Sequence, residues 1–309
     1  MPQYRAIRSK YSFLEMCHDP EIAAEITLLP VRLLGVDAAI LFSDILVVAD
    51  ALGVGLRFED KRGPIIERPL NTPQDVDALP KPDIKNSLKF VGDTIRLLRP
   101  QLKVPLLGFC GAPFTVASYM IEGGSSRDLK KTKQWMLQEP VSFHKLLDHI
   151  ADCTIEYMNL QVEAGVHAIQ IFDSWAHVLA HGQFLEFSLH YLKKMMQGLK
   201  NRKIPIILFC RGSSVFAAEM ATLNPAAISL DWNAHIGKIR SCVPSNIALQ
   251  GNLDPDILYA PHGLLKKEVR KMLRSMKGDK GYIFNLGHGI HPDVSMDAVK
   301  LLVDLVQAS

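Results

Sequence analysis

Seven apolar stretches of this 309-residue chain each run into a short polar or glycine-rich tip, and the side chains able to do chemistry collect there. The tips are Phe42-Ser43-Asp44, Gly108-Phe109-Cys110-Gly111-Ala112-Pro113, Phe172-Asp173-Ser174-Trp175, Cys210-Arg211-Gly212, Leu230-Asp231-Trp232, Gln250-Gly251-Asn252-Leu253-Asp254-Pro255 and Asn285-Leu286-Gly287-His288-Gly289. Asp44 follows an apolar run, where an unpaired carboxylate is costly to bury. It is either the N-cap of a helix over 45–52 or a charge turned toward a ligand. Ser174 is either a cap or a hydroxyl donor, and no base-and-orienter pattern marks it as a covalent nucleophile. His288, between two glycines, is either a turn residue or an uncrowded donor facing a cavity. A single tip of this kind is often a helix cap, whereas the set as a whole suits a shared cavity.

The elements that must hold these tips are legible from periodicity. The runs at 37–42, 105–110, 168–172, 205–210, 227–230, 246–250 and 282–286 are mostly apolar throughout, as expected of parallel strands covered on both faces. Helical patterns lie between most of them, near 22–34, 85–98, 141–164, 184–199, 215–223, 236–243, 264–276 and 294–306. Asp19-Pro20-Glu21 supplies the N-terminal signals of the first. Alternating strand and helix predicts a parallel α/β architecture. A glycine-containing, charged segment at 53–69 suits a β-excursion, and 71–83 is rich in turn residues. No linker or composition break appears, so 1–309 reads as a single domain. Seven strands is one short of a (β/α)8 barrel, and the polar 1–10 leads straight into a helix. The pattern alone therefore fits either an open doubly wound sheet or a barrel whose first strand lies before Met1.

Composition excludes several classes. A hydrophobic fraction of 48% suits a large core and argues against disorder. A net charge of +3 is too small to argue for a nucleic-acid partner. The greasiest stretch, 28–56, is broken by Arg32, Asp37, Asp44 and Asp50, so no membrane span is expected. Five scattered cysteines without a C-x-x-C predict reduced thiols in a cytoplasmic protein and neither a disulfide framework nor a structural zinc site. Neither G-x-G-x-x-G nor a P-loop is present, which disfavours a nucleotide enzyme.

The motifs resemble those of the uroporphyrinogen decarboxylase family. Phe-Ser-Asp-Ile-Leu-Val-Val at 42–48, Gly-Ala-Pro-Phe-Thr at 111–115, Tyr-Met-Ile-Glu-Gly-Gly at 119–124, Phe-Asp-Ser-Trp-Ala at 172–176, Leu-Asp-Trp at 230–232, Gln-Gly-Asn-Leu-Asp-Pro at 250–255 and Asn-Leu-Gly-His-Gly at 285–289 occur in family order across essentially the whole chain. The resemblance implies a (β/α)8 TIM barrel, a homodimer, and conversion of uroporphyrinogen III to coproporphyrinogen III without metal or organic cofactor. It also implies that Asp44 is catalytic and substrate-binding, and that Tyr119, Ser174 and His288 bind substrate.

The family's Arg-Gln-Ala-Gly-Arg segment, which supplies the first strand and two carboxylate-binding arginines, is not found ahead of 1–8. The expectation is a start at an internal methionine of a longer protein, which translation of the upstream DNA tests. The alternative is an impaired or non-catalytic porphyrinogen-binding barrel. His177, Arg211 and Asn233 stand where the family commonly has Gly, Lys and Thr. A corrinoid-linked methyltransferase on a related barrel is a further alternative, disfavoured because the chain has no His-x-Cys.

Overall fold

The computed structural model describes residues 1–59 and 62–309. Its strands are β1 (Ala39–Ile40), β2 (Leu56–Glu59), β3 (Gly63–Ile66), β4 (Leu106–Gly111), β5 (Ala168–Asp173), β6 (Ile206–Cys210), β7 (Ala227–Ser229), β8 (Ala248–Leu253) and β9 (Tyr282–Leu286). Seven of them form one sheet in the order β1-β4-β5-β6-β7-β8-β9, and every neighbouring pair is parallel. Spatial order follows chain order, with helices in the crossovers, the arrangement of a TIM-barrel sheet and not of a doubly wound one. β2 and β3 pair as the antiparallel hairpin expected within 53–69.

Among the described residues β1 and β9 pair with β4 and β8 alone, so the sheet keeps two edges and a seam between them. Ile40 on β1 is 52% exposed and Ile283 on β9 is 43% exposed, whereas every residue of β6 is buried.

The strand boundaries depart from expectation in an instructive direction. β8 runs on to Leu253, with Asn252 opposite Asn285, and β5 includes Asp173 opposite Cys210. Parallel pairing therefore continues through residues whose polarity and glycine content suggested a tip. β1, by contrast, shrinks to two residues because only β4 pairs with it.

The helices follow their end signals. Asp19 accepts from the amides of Glu21 and Ile22 at the start of Pro20–Leu34, and Gly35 ends that helix with φ +70°. The long helix Pro140–Ala164 packs Leu146, Ile150 and Tyr157 inward. Two helices, Pro113–Glu122 and Lys130–Gln138, carry no clear sequence pattern. In the first, Pro113 opens the helix and nearly every side chain is buried, so there is no polar face to set a period. The segment 71–83 contains the short helix Pro73–Asp77, closed at its start by a Thr72–Asp75 capping box.

One apolar core runs from Ala24 to Met276, and a smaller cluster around Leu258, Leu265 and Leu302 joins it through Met272. Among the described residues no helix is long and apolar enough to cross a membrane. Cys17, Cys110, Cys153 and Cys210 are buried free thiols, and Cys242 is an exposed one.

Candidate active site

β1 ends at Ile40, and Leu41, Phe42 and Ser43 carry the chain to Asp44. Thr27 fixes that exit: its hydroxyl donates to the Ala23 carbonyl and accepts from the Phe42 amide at 2.9 Å. Asp44 Oδ1 then accepts from the Leu46 amide at 2.8 Å, just ahead of the helix Val47–Ala51. The helix-cap reading thus accounts for one carboxylate oxygen. Among the described residues no donor reaches the other. Burial pushes the Asp44 carboxyl up to about 6, against the pull of the Leu46 amide.

Asp44 and Ser174 line the same cavity, of about 490 Å³, whose walls are otherwise mostly apolar and include Phe109 and Phe172. Its lining also reaches Ile40 at the seam. Ser174 is not a helix cap; the short turn of helix Ala176–Val178 begins without a side-chain cap. Tyr119 lies on Pro113–Glu122 with its ring edge-on to Trp175 at 5.7 Å. Burial raises its hydroxyl above the usual phenol range, and the nearby Asp44 charge acts in the same direction.

His288 stands farther round the sheet. A row of rings reaches it: Phe109–Phe172 at 5.8 Å and Phe172–Phe209 at 5.6 Å on the neighbouring strands β4, β5 and β6, then Phe209–His288 at 6.1 Å from β6 to the tip after β9. Trp232 stacks on its other side at 6.1 Å. Tyr119 and His288 therefore flank the cavity without lining it. Burial, with the Arg211 charge, lowers the His288 imidazole, which favours its neutral form.

A buried scaffold holds the tips. The Asp173 carboxylate accepts from Thr115 Oγ1 at 2.6 Å and Ser188 Oγ at 2.5 Å, and the Trp175 amide donates to the same Thr115 hydroxyl. The start of the Pro113 helix is thereby tied to the turn after β5. On the far side Asp231 Oδ2 accepts from the Gly212 amide at 2.6 Å and from Asn233 Nδ2 at 2.9 Å. Asn252 Nδ2 donates to the carbonyls of Asp231 and Ala234. Among the described residues no group of three or more His, Cys, Asp or Glu side chains is placed to hold a metal ion.

A family model described as uroporphyrinogen decarboxylase (URO-D) matches residues 1–309. The chain belongs to the uroporphyrinogen decarboxylase family. A uroporphyrinogen decarboxylase of Protochlamydia amoebophila (strain UWE25) is 60% identical over 307 residues, covering 99% of this chain and 84% of that relative. Another, from Ruthia magnifica subsp. Calyptogena magnifica, is 42% identical over 313 residues, with 99% and 90% covered. Among solved structures, a methyltransferase from Methanosarcina mazei superposes with a TM-score of 0.81 at 23% identity, covering 94% of this chain and 86% of that one. That likeness shows the shared fold alone. The corrinoid-linked methyltransferase alternative is not favoured, because relatives at 60% and 42% identity are uroporphyrinogen decarboxylases.

For a uroporphyrinogen decarboxylase family member, three features of this site go beyond the four residues to which the resemblance gives a role. The Phe109–Phe172–Phe209 row is invisible in sequence, because each phenylalanine lies in an apolar strand where core packing is the default reading. Thr115, Asp173 and Ser188 meet across separate elements, so spacing along the chain gives no signal. His177 stands out in the sequence only as a departure from the family pattern, and Arg211 both as such a departure and as part of the tip Cys210-Arg211-Gly212.

Proposed function

We propose that this chain decarboxylates the four acetate side chains of uroporphyrinogen III to yield coproporphyrinogen III. The observation that carries the reading is the family match along the whole chain. In support, Asp44 lines an apolar cavity with one carboxylate oxygen held and the other without a donor among the described residues.

Direct loss of carbon dioxide from a pyrrole acetate would leave a poorly stabilised carbanion. Protonation of the adjacent ring carbon first makes an iminium-like electron sink within the substrate. The C–CO₂ bond electrons then flow into that ring, releasing carbon dioxide and leaving a neutral methylene species. Protonation of the methylene carbon, with loss of the proton first added to the ring carbon, gives the methyl group and restores the aromatic pyrrole, so each cycle converts one acetate carboxylate and one net proton into a methyl group and carbon dioxide.

In this reading Asp44 accepts hydrogen bonds from the inward-pointing pyrrole N–H groups. With its carboxyl near 6 it is mostly ionised at neutral pH. Its attraction for the ring rises when the ring becomes cationic, which is the differential stabilisation that accelerates a reaction. Tyr119 and Ser174 supply hydroxyls to substrate carboxylates. His288, whose Nδ1 accepts from the Gly289 amide at 2.8 Å, carries its proton on Nε2 and donates from there. The same reading takes the chain as a single domain acting as a cytoplasmic homodimer, which analytical ultracentrifugation tests for assembly.

Incubation with uroporphyrinogen under anaerobic, reducing conditions tests the activity. Chromatography should resolve products with seven, six, five and four carboxylates. Asp44→Asn should lower kcat by roughly 10²- to 10³-fold, the size expected for removing one preorganised electrostatic partner of a developing charge. Absence of any product with fewer carboxylates from the unaltered chain overturns the reading.

A further inference from the structure

Three potentially cationic side chains from separate elements converge beyond the carboxyl ends of β5, β6 and β9. Arg211 follows β6 directly, and the next residue, Gly212, turns with φ +71° so close to His177 that a Cβ there would lie 3.0 Å from the His177 Cβ. The Arg211 turn is thus packed against the turn after β5. His288 faces the same strand end, since its ring lies 6.1 Å from Phe209, two residues before Arg211. Indole rings back both histidines: Trp175 stacks on His177 at 6.0 Å and Trp232 on His288 at 6.1 Å.

We infer that Arg211, His177 and His288 form one carboxylate-binding subsite, which holds a side-chain carboxylate of the substrate beyond the ends of β5, β6 and β9, away from Asp44. This rests on the decarboxylase reading for the identity of the substrate. Arg211 and His177 are the new members.

The hydrogen bonds assign each imidazole a different task. His288 Nδ1 is an acceptor, so neutral His288 presents Nε2–H to the ligand. His177 Nδ1 donates to the Ser174 carbonyl at 3.1 Å, so neutral His177 has a bare Nε2 and becomes a donor only by taking up a proton. Its surroundings oppose that while the site is empty. Burial lowers the His177 imidazole first, and the charges of Arg211 and Lys133 add to it, while the Ser174 carbonyl and Asp231 act the other way. Around His288, Arg211 and His291 lower the imidazole and Asp231 raises it. A carboxylate arriving among these groups offsets the Arg211 charge and brings a proton to His177 with it. The Ser174 carbonyl then couples this subsite to the cavity that Ser174 shares with Asp44.

Two measurements test the subsite. The first is steady-state turnover of uroporphyrinogen. Arg211→Gln and His177→Ala should each raise KM by about 10- to 100-fold, the loss of one charge-assisted contact, with kcat within about threefold. Arg211→Lys, which keeps the charge without the planar fork, should fall between Arg211→Gln and the unaltered chain. The second is calorimetric titration with uroporphyrin I, an octacarboxylate whose fully conjugated ring does not enter the decarboxylation, in two buffers of different ionisation enthalpy. Both variants should raise Kd by about 10- to 100-fold, and His177→Ala should lower the number of protons taken up on binding. Unchanged Kd, within twofold, for both variants overturns the subsite, as does failure of the unaltered chain to bind uroporphyrin. Failure of turnover with binding and its variant losses intact overturns the decarboxylase reading and leaves the subsite standing. Thermal unfolding shows whether Arg211→Gln folds, and His177→Ala carries the test alone if it does not.

Discussion

Asp44 is asked for two things that conflict. A carboxylate in an apolar cavity costs stability, and the proposed chemistry needs it ionised. Its carboxyl sits near 6 in the folded chain against 3.8 when unperturbed. Between those values the folded state holds the proton more tightly than the unfolded one, so this group's contribution is most favourable below about pH 4 and declines as pH rises to about 6. The loss is on the order of 2–3 kcal/mol. Urea denaturation should therefore find Asp44→Asn more stable than the unaltered chain by that order at pH 7, with the difference closing toward pH 4. The Asn side-chain oxygen can still accept from Leu46, so the local turn is retained. In the unaltered chain kcat/KM should show an acid limb with an apparent pKa near 6, read from initial rates between pH 5 and 8. The sequence made Asp44 conspicuous and left two roles open. The cap reading accounts for one oxygen, held by the Leu46 amide, and the other has no donor among the described residues, as the proposed role requires.

Single hydroxyls hold whole elements in register. Thr115 supports the buried Asp173 carboxylate and the Trp175 amide together, joining the helix Pro113–Glu122 to the turn after β5. Thr115→Val keeps the shape and removes both contacts. Because a buried carboxyl, which burial pushes upward against the pull of Ser188 and Thr115, then loses one of its two side-chain donors, unfolding free energy should fall by about 1–3 kcal/mol, and KM should rise as Trp175 and its partner Tyr119 lose their anchor. Equilibrium denaturation and steady-state kinetics on one preparation check both. Gly287 offers a complementary case. A Cβ there would lie 2.5 Å from the Trp232 amide nitrogen. Gly287→Ala should push the β9 tip away from Trp232, raising KM through His288 and lowering the melting temperature. The strands and most helices at this scale were readable because apolar runs and cap residues are local signals. The helix bearing Tyr119 was not, since burial on all sides leaves no periodic face. The extension of β8 through Gly251 and Asn252 was hidden for a related reason: pairing with β9 is long-range and outweighs local turn preference.

Across the molecule, protection should follow the sheet from centre to seam. β5 and β6 are paired along both edges, β4 meets β1 only at Leu106 and Leu107, and β1 and β9 each have one paired neighbour among the described residues. Native-state hydrogen exchange should find the slowest amides in β5 and β6 and markedly faster ones in β1 and β9. Equal protection across the seven strands would contradict the open seam. The count of seven strands and their parallel character could be read from sequence, but the side chains that meet across the sheet could not. The ring row from Phe109 to His288 exists only once four strand ends are brought together.

The indoles beside those rings give the molecule an optical property of its own. Of its three tryptophans, Trp175 and Trp232 stack on His177 and His288, while Trp135 lies apart on the helix Lys130–Gln138. A protonated imidazole quenches a stacked indole more strongly than a neutral one. Two of the three indoles therefore sit where proton gain by a neighbouring histidine dims them, and Trp135, with no imidazole stacked on it among the described residues, serves as an internal reference.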